Sequence, residues 1–220
     1  MLLRAHVSRL PIRSPKPKHC YRFDMKFGDE FDLKSSLDRL FPGLSLGGDR
    51  FHQSPIGVRF NIGLAEIDRA VLIFNAIFGG SEAIVLLDED SSWEADPTRW
   101  YELFSLPGLI RSSEKPTVRS YESKLSEDEI YTVRWAIIRS SVLSTERFFE
   151  AIANQDHGRT PSVRGRVHIL DPGAEVLLHL YDDGGMDVIA TSVAPLLRLK
   201  SSYSSWINRE KLDGKDSAQR

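Results

Sequence analysis

Three aspartates, Asp182, Asp183 and Asp187, fall within one short stretch rich in glycine. Carboxylates gathered at a hairpin tip can supply oxygen ligands to Mg²⁺ or Ca²⁺, with water completing the shell. Aspartate is also a common turn former, and Asp187 can face away from the other two, so a purely structural reading stands beside the metal one. A second set is Arg164, Arg166, His168, His179 and Tyr181. Two histidines on one surface suit general acid–base work or metal binding. Arginine and tyrosine suit a protein interface. The same face can equally be covered or solvated, its long side chains reaching for water.

Other chemistry-bearing residues are more scattered. Asp88-Glu89-Asp90 follows an apolar run, where carboxylates can hold a cation or simply line a solvated loop. His6, His19, His52 and His157 are isolated. The chain carries no Cys/His metal spacing, no Gly-x-Ser-x-Gly elbow and no His-Glu-x-x-His helix. Gly47-Gly48-Asp49 lacks the Gly-Lys-Ser/Thr of a phosphate loop. The best-supported function is thus a non-enzymatic protein-interaction module, a toxin-neutralising immunity protein being one concrete form. The alternative is a hydrolase-like enzyme using the three aspartates with a divalent metal, or His168 and His179 as acid and base.

The elements that must position these residues are legible around 163–190. Val163, Gly165, Val167 and Ile169 alternate with Arg164, Arg166, His168 and Leu170, the period of a strand with one face on a core. Asp171-Pro172-Gly173 interrupts with turn chemistry. Val176, Leu178 and Leu180 then alternate with Glu175, Leu177, His179 and Tyr181. A tight turn sets Leu170 opposite Glu175, His168 opposite Leu177, Arg166 opposite His179 and Arg164 opposite Tyr181. A slip of one residue would mix apolar and polar faces. A three-residue loop, Asp182-Asp183-Gly184, puts Met186 beside Leu180 and Val188 beside Leu178.

Elsewhere, Asp32–Phe41 reads as a short amphipathic helix ended by Pro42-Gly43, and Gly57–Gly63 as a strand. Ala65–Phe78 has the strongest helical periodicity and stops at Gly79-Gly80. Ala83–Leu87 is a continuous apolar run, a strand buried on both faces. Strand–helix–strand order suggests a crossover and a mixed sheet. Asp96-Pro97 starts a helix bearing Trp100, Leu103 and Phe104. Residues 107–126 read as a long surface loop. Glu129–Ile138 alternates as a strand, 144–154 is a helix, and 193–208 is a final helix burying Leu196, Leu199, Tyr203, Trp206 and Ile207. Trp93, Trp100, Trp135 and Trp206 are expected to anchor the core. The fold class is α+β: a mixed, largely antiparallel sheet of about six strands with helices packed against it.

Several of these elements together resemble an uncharacterised bacterial family, domain of unknown function 3885. They are Ala151-Ile152-Ala153-Asn154-Gln155-Asp156, the strand pair, Tyr181-Asp182-Asp183-x-Gly185-x-Asp187-Val188-Ile189-Ala190, and Trp206-Ile207. Weaker similarity reaches back through Val58-Arg59-Phe60 and the helix at 65–78, so the resemblance covers about 30–210. The family pattern has arginine where this chain has Gly184. If that arginine carries function, this copy lacks it. The resemblance implies a fold and assigns no activity.

Composition bounds the rest. A hydrophobic fraction of 41% and a charged fraction of 27% fit a globular chain able to bury a core. A net charge of −2 is not the signature of a nucleic-acid binder, and no apolar run approaches a membrane helix. The lone Cys20 excludes an intrachain disulfide framework and fits a reducing cytoplasm. We therefore expect an unidentified protein partner, no nucleic acid, no membrane and no cofactor. Residues 1–24 are basic and proline-punctuated: a disordered tail, a start codon placed upstream of Met25, or a targeting peptide. Residues 25–210 form one α+β domain, and 211–220 form a fraying tail.

Overall fold

The computed structural model describes residues 31–44, 56–63, 66–90, 101–113, 115–124, 130–163, 165–181 and 185–208. Among them are seven strands: β1 (Gly57–Asn61), β2 (Ile84–Asp90), β3 (Arg119–Lys124), β4 (Ile130–Ile138), β5 (Arg166–Asp171), β6 (Val176–Leu180) and β7 (Gly185–Ala190). Four α-helices accompany them: α1 (Leu33–Leu40), α2 (Ile67–Phe78), α3 (Thr145–Ala153) and α4 (Ala194–Ser202). The strands form one sheet in the order β1-β7-β6-β5-β2-β4-β3. The α+β class holds, with one more strand than expected.

Every adjacent pair is antiparallel, so the sheet is not mixed. The crossover that suggested mixing is nevertheless there. β1 and β2, joined through α2, run in the same direction, but β7, β6 and β5 lie between them. The later meander fills the gap that the crossover leaves.

The sheet is covered on both faces. On one, α2, α3 and α4 bury Phe74, Phe78, Phe148, Phe149, Leu196 and Leu199 against Val58, Phe60, Leu86, Ile169, Leu178 and Val188. Phe74 meets Phe149 edge-on at 6.0 Å between ring centres, joining α2 to α3. On the other face, α1 buries Leu33, Leu37 and Leu40, spaced at one helical stripe, with Phe41. They pack on Val85, Leu87, Val133, Trp135, Leu170, Leu177 and Ile189. That second cover buries Leu170, Leu177 and Ile189, so β5, β6 and β7 are not buried at alternate positions alone.

Four local expectations are revised. First, 107–126 is not all loop: β3 lies within it, paired along its length to β4. Its sequence, Arg-Ser-Tyr-Glu-Ser-Lys, lacks apolar alternation because it is an edge strand, with Tyr121 packed against the core. Leu109 is also buried, and Ile110 bridges to Leu143. Second, the final helix stops at Ser202. Tyr203 leaves helical geometry, a short 3₁₀ turn follows at Ser204–Trp206, and Tyr203 stacks on Trp206 at 4.8 Å. Ile207 then bridges to Phe60 at the outer edge of β1.

Third, the strand expected from Val163 begins at Arg166. Gly165 has a φ of +94°, a conformation open to glycine, and breaks the extended run. Fourth, the β5–β6 register differs by two residues from the expected one: His168 pairs with His179, Ile169 with Leu178 and Leu170 with Leu177. The Asp171 carboxylate accepts the backbone N–H groups of Gly173 and Ala174 at 2.8 and 2.9 Å. That widens the turn to Pro172–Glu175, with Glu175 at φ +56°. Because the shift is even, each side chain stays on its expected face. The β6–β7 register is as expected: Leu180 pairs with Met186 and Leu178 with Val188. Residues 47–49, His52, Trp93, Asp96, Pro97 and Trp100 lie outside the described residues. Among those described, no helix is long and apolar enough to cross a membrane.

Helix α1 is started by Asp32, whose carboxylate accepts from the Ser35 backbone N–H at 3.3 Å and from the Ser35 hydroxyl. The Ser35 hydroxyl first, and the Ser35 N–H second, hold the Asp32 pKa below the usual carboxylate value. Asp32→Ala should therefore lower stability by roughly 1 kcal/mol at neutral pH, as for other N-caps. A group whose pKa is lowered on folding contributes above its unfolded pKa and loses that contribution as pH falls through the folded one. The gap between wild type and variant in urea melts should accordingly shrink below about pH 4. Equal midpoints at pH 7 would refute the cap.

Candidate functional site

Backbone register assembles the site from four neighbouring strands, β1, β7, β6 and β5, with Tyr181 just past the end of β6. One row crosses the whole sheet on the α1 face. Arg59 on β1 pairs with Asp187 on β7, Asp187 with His179 on β6, and His179 with His168 on β5. The row continues through Leu87 on β2 and Trp135 on β4 to Arg119 on β3. Arg119 lies over the Trp135 ring at 5.3 Å. The polar half of the row is thus contiguous, with Tyr181, two residues beyond His179, on the same face.

Asp187 is 2% exposed, and its charge is met in full. Arg59 Nε donates to Asp187 Oδ1 at 2.6 Å, and Arg59 Nη2 donates to Oδ2 at 2.7 Å. This two-pronged geometry is the strong form of a guanidinium–carboxylate pair. The Tyr181 hydroxyl donates to Oδ2 as well and accepts from Arg59 Nη2 at 3.0 Å. The guanidinium also sits over the Tyr181 ring, 4.9 Å from its centre. Three donors thus occupy three of the roughly four acceptor sites of this buried carboxylate.

The histidines adjoin this network. His179 meets Tyr181 edge-on at 4.3 Å and stacks with His168 at 4.2 Å. Both rings are buried, His168 completely. His179 Nδ1 lies 2.8 Å from the Val167 carbonyl oxygen. A carbonyl only accepts, so Nδ1 carries the hydrogen and the ring is held in one orientation.

Of the residues singled out from sequence, His168, His179 and Tyr181 come together as expected. Arg166 shares their face, but it is exposed and lies opposite Glu89 on β2 rather than opposite His179. Arg164 falls outside the described residues. So do Asp182 and Asp183, so the acidic cluster at that hairpin tip is not described as a unit. Asp187, its third member, is bound to Arg59 and Tyr181. Among the described residues no group of three or more His, Cys, Asp or Glu side chains is arranged to hold a metal ion.

The residue that sequence reasoning passed over is Arg59. It stood out only as a polar position in an alternating strand, 128 residues from its partner. No local spacing signals a pair formed across that distance. Its place in Val58-Arg59-Phe60, within the resemblance, was the one available sign.

Breaking this pair should be costly. Asp187→Ala takes the Asp187 carboxylate away from a largely buried guanidinium and should lose roughly 3–5 kcal/mol. The double variant Arg59→Met/Asp187→Leu removes both charges and should be the more stable of the two. Equilibrium urea unfolding checks the order. A loss below about 1 kcal/mol for Asp187→Ala would show the pair to be marginal, as exposed pairs are.

The model of the family described as domain of unknown function (DUF3885) matches residues 33–210, most of the chain and every strand and helix above. No curated protein and no solved structure matches the chain.

Proposed function

Taking as premise that this chain belongs to the DUF3885 family, we propose that it is a non-enzymatic protein-interaction module. The observation that carries this reading is the commitment of Asp187. This carboxylate, one of the three that the sequence offers as cation ligands, instead ties β1 to β7. His179 is likewise bound to the Val167 carbonyl, and both imidazoles are buried between strands. The polar row thus serves as internal structure. Arg166, exposed at the start of β5, together with Arg164 two residues before it in the sequence, is what this reading assigns to a protein partner. Arginine is enriched at such surfaces. A toxin-neutralising immunity protein, working in the cytoplasm, is the concrete form proposed.

Charge reversal tests the surface. Arg164→Glu/Arg166→Glu should retain the wild-type melting temperature and lose a partner that the wild-type protein captures in stoichiometric amount from its host. Retention of that partner by the double variant would overturn the assignment. The competing metal-dependent hydrolase makes a separate claim, because a ligand binding only the folded state raises its melting temperature. Unchanged melting in millimolar Mg²⁺, Mn²⁺ or Ca²⁺ is expected. A rise that Asp182→Asn/Asp183→Asn abolishes would favour the hydrolase instead.

A further inference from the structure

The two edges of the sheet are kept by different means. β3, at one end, reads Arg-Ser-Tyr-Glu-Ser-Lys, and charged residues along an edge strand discourage pairing with another chain. β1, at the other end, reads Gly-Val-Arg-Phe-Asn. Val58 and Phe60 are buried in the core, and the charge of Arg59 is bound inward to Asp187. Charge therefore does not defend this edge. A later piece of the chain covers it instead. Ile207 forms an antiparallel bridge to Phe60, and the Asn208 backbone N–H donates to the Arg59 carbonyl at 2.9 Å. That carbonyl points away from β7. Backbone groups alternate sides along a strand, so those of Gly57 and Asn61 face the same outer edge.

The covering segment, residues 203–208, is fastened to the helices by its rings. Tyr203 stacks on Trp206 at 4.8 Å, with the ring planes 17° apart. Arg69 of α2 lies over the Trp206 ring, 5.1 Å from its centre. The Tyr203 hydroxyl donates to the Leu72 carbonyl at 3.4 Å. Tyr203, Trp206 and Ile207 are half-buried and pack on the same core as α2 and α4. Trp206 thus links α2 to the piece of chain that lies on the edge of β1.

We propose that residues 203–208 are a strap guarding β1, and that the guarded edge pairs with β1 of a second copy when the strap is loosened. A strand edge is a template for another extended chain. In the intact protein the strap prevails because it is tethered. Its connection to α4 gives it an effective concentration of about millimolar, which a second copy at micromolar concentration does not reach. The fitting occupant is β1 of another copy for two reasons. It shares the lack of an outward repelling charge, and a two-fold axis lets one edge meet itself with every contact made twice. Val58 and Phe60 stay in their own core, so main-chain hydrogen bonds carry the association.

Light scattering of the full chain, from micromolar to near-millimolar concentration, tests this. Trp206→Ala removes the ring that holds the strap to α2. Its mass should rise with concentration toward about twice that of the wild type. Leu197→Ala, at an exposed position of α4, should match the wild type throughout. Trp206→Ala/Asn61→Pro should match it as well, because proline at Asn61 removes an N–H on the outer edge and none that β7 uses. A Trp206→Ala mass equal to that of the wild type at every concentration overturns the proposal. So does a doubled mass that Asn61→Pro leaves in place, or one that Leu197→Ala shares. Should Trp206→Ala not fold, Asn208→Pro takes its place with the same expectations. It deletes the N–H given to Arg59 and leaves the ring stack in place.

Discussion

A sheet covered on both faces has no side on which polar side chains can be left to water. That constraint shapes this molecule. β5, β6 and β7 lie beneath α2, α3 and α4 on one side, and the α1 side is buried as well. Any charge placed there must be met by another part of the protein, since an unpaired buried charge costs several kcal/mol. Asp187 is met by a guanidinium and a phenol at once. The chemistry that looks like a site in the linear chain is the same chemistry that lets a buried sheet face tolerate polar residues.

How much of this was legible follows from distance along the chain. Local alternation marked β1, β4, β5, β6 and β7, because each carries apolar residues on every second position. The β6–β7 register could be read because a three-residue loop leaves little choice. The β5–β6 register could not, because the Asp171 carboxylate builds a wider turn than Pro172-Gly173 alone demands. β3 was hidden by its edge position, where charge replaces alternation. Of the site, the histidines and Tyr181 were found because they share one hairpin. Arg59 was not, because its partner is reached only once the sheet is assembled from both ends of the chain.

The same assembly shows why helix α1 matters to the polar row. One step along the strands from Arg59–Asp187–His179–His168 lies a second row on the same face. It runs through Ile189, Leu177, Leu170, Val85 and Ile137, with no polar member. α1 packs on this apolar row and on Leu87 and Trp135 of the polar one. The face is therefore graded, from hydrocarbon under the helix to a satisfied ion pair at β1. The stacked imidazoles, flat and moderately polar, stand at the change between the two.

This grading bears on a choice that hydrophobic alternation cannot make. A slip of two residues between antiparallel strands keeps every side chain on its face, so the apolar pattern alone does not oppose it. The ordering of rows does. Sliding β7 by two residues against β6 in one direction would set Asp187 opposite Leu177, and Ile189 beyond it would lose its apolar neighbour. Sliding β1 by two residues against β7 would draw Arg59 away from Asp187 and strand a carboxylate that is 2% exposed. Either error costs more than exchanging one leucine contact for another, because a buried charge without its partner is among the largest single penalties a fold can carry. The polar row consequently discriminates among registers that an all-apolar face would accept, and the pairing of β1 with β7, made across most of the chain, is where that discrimination is strongest.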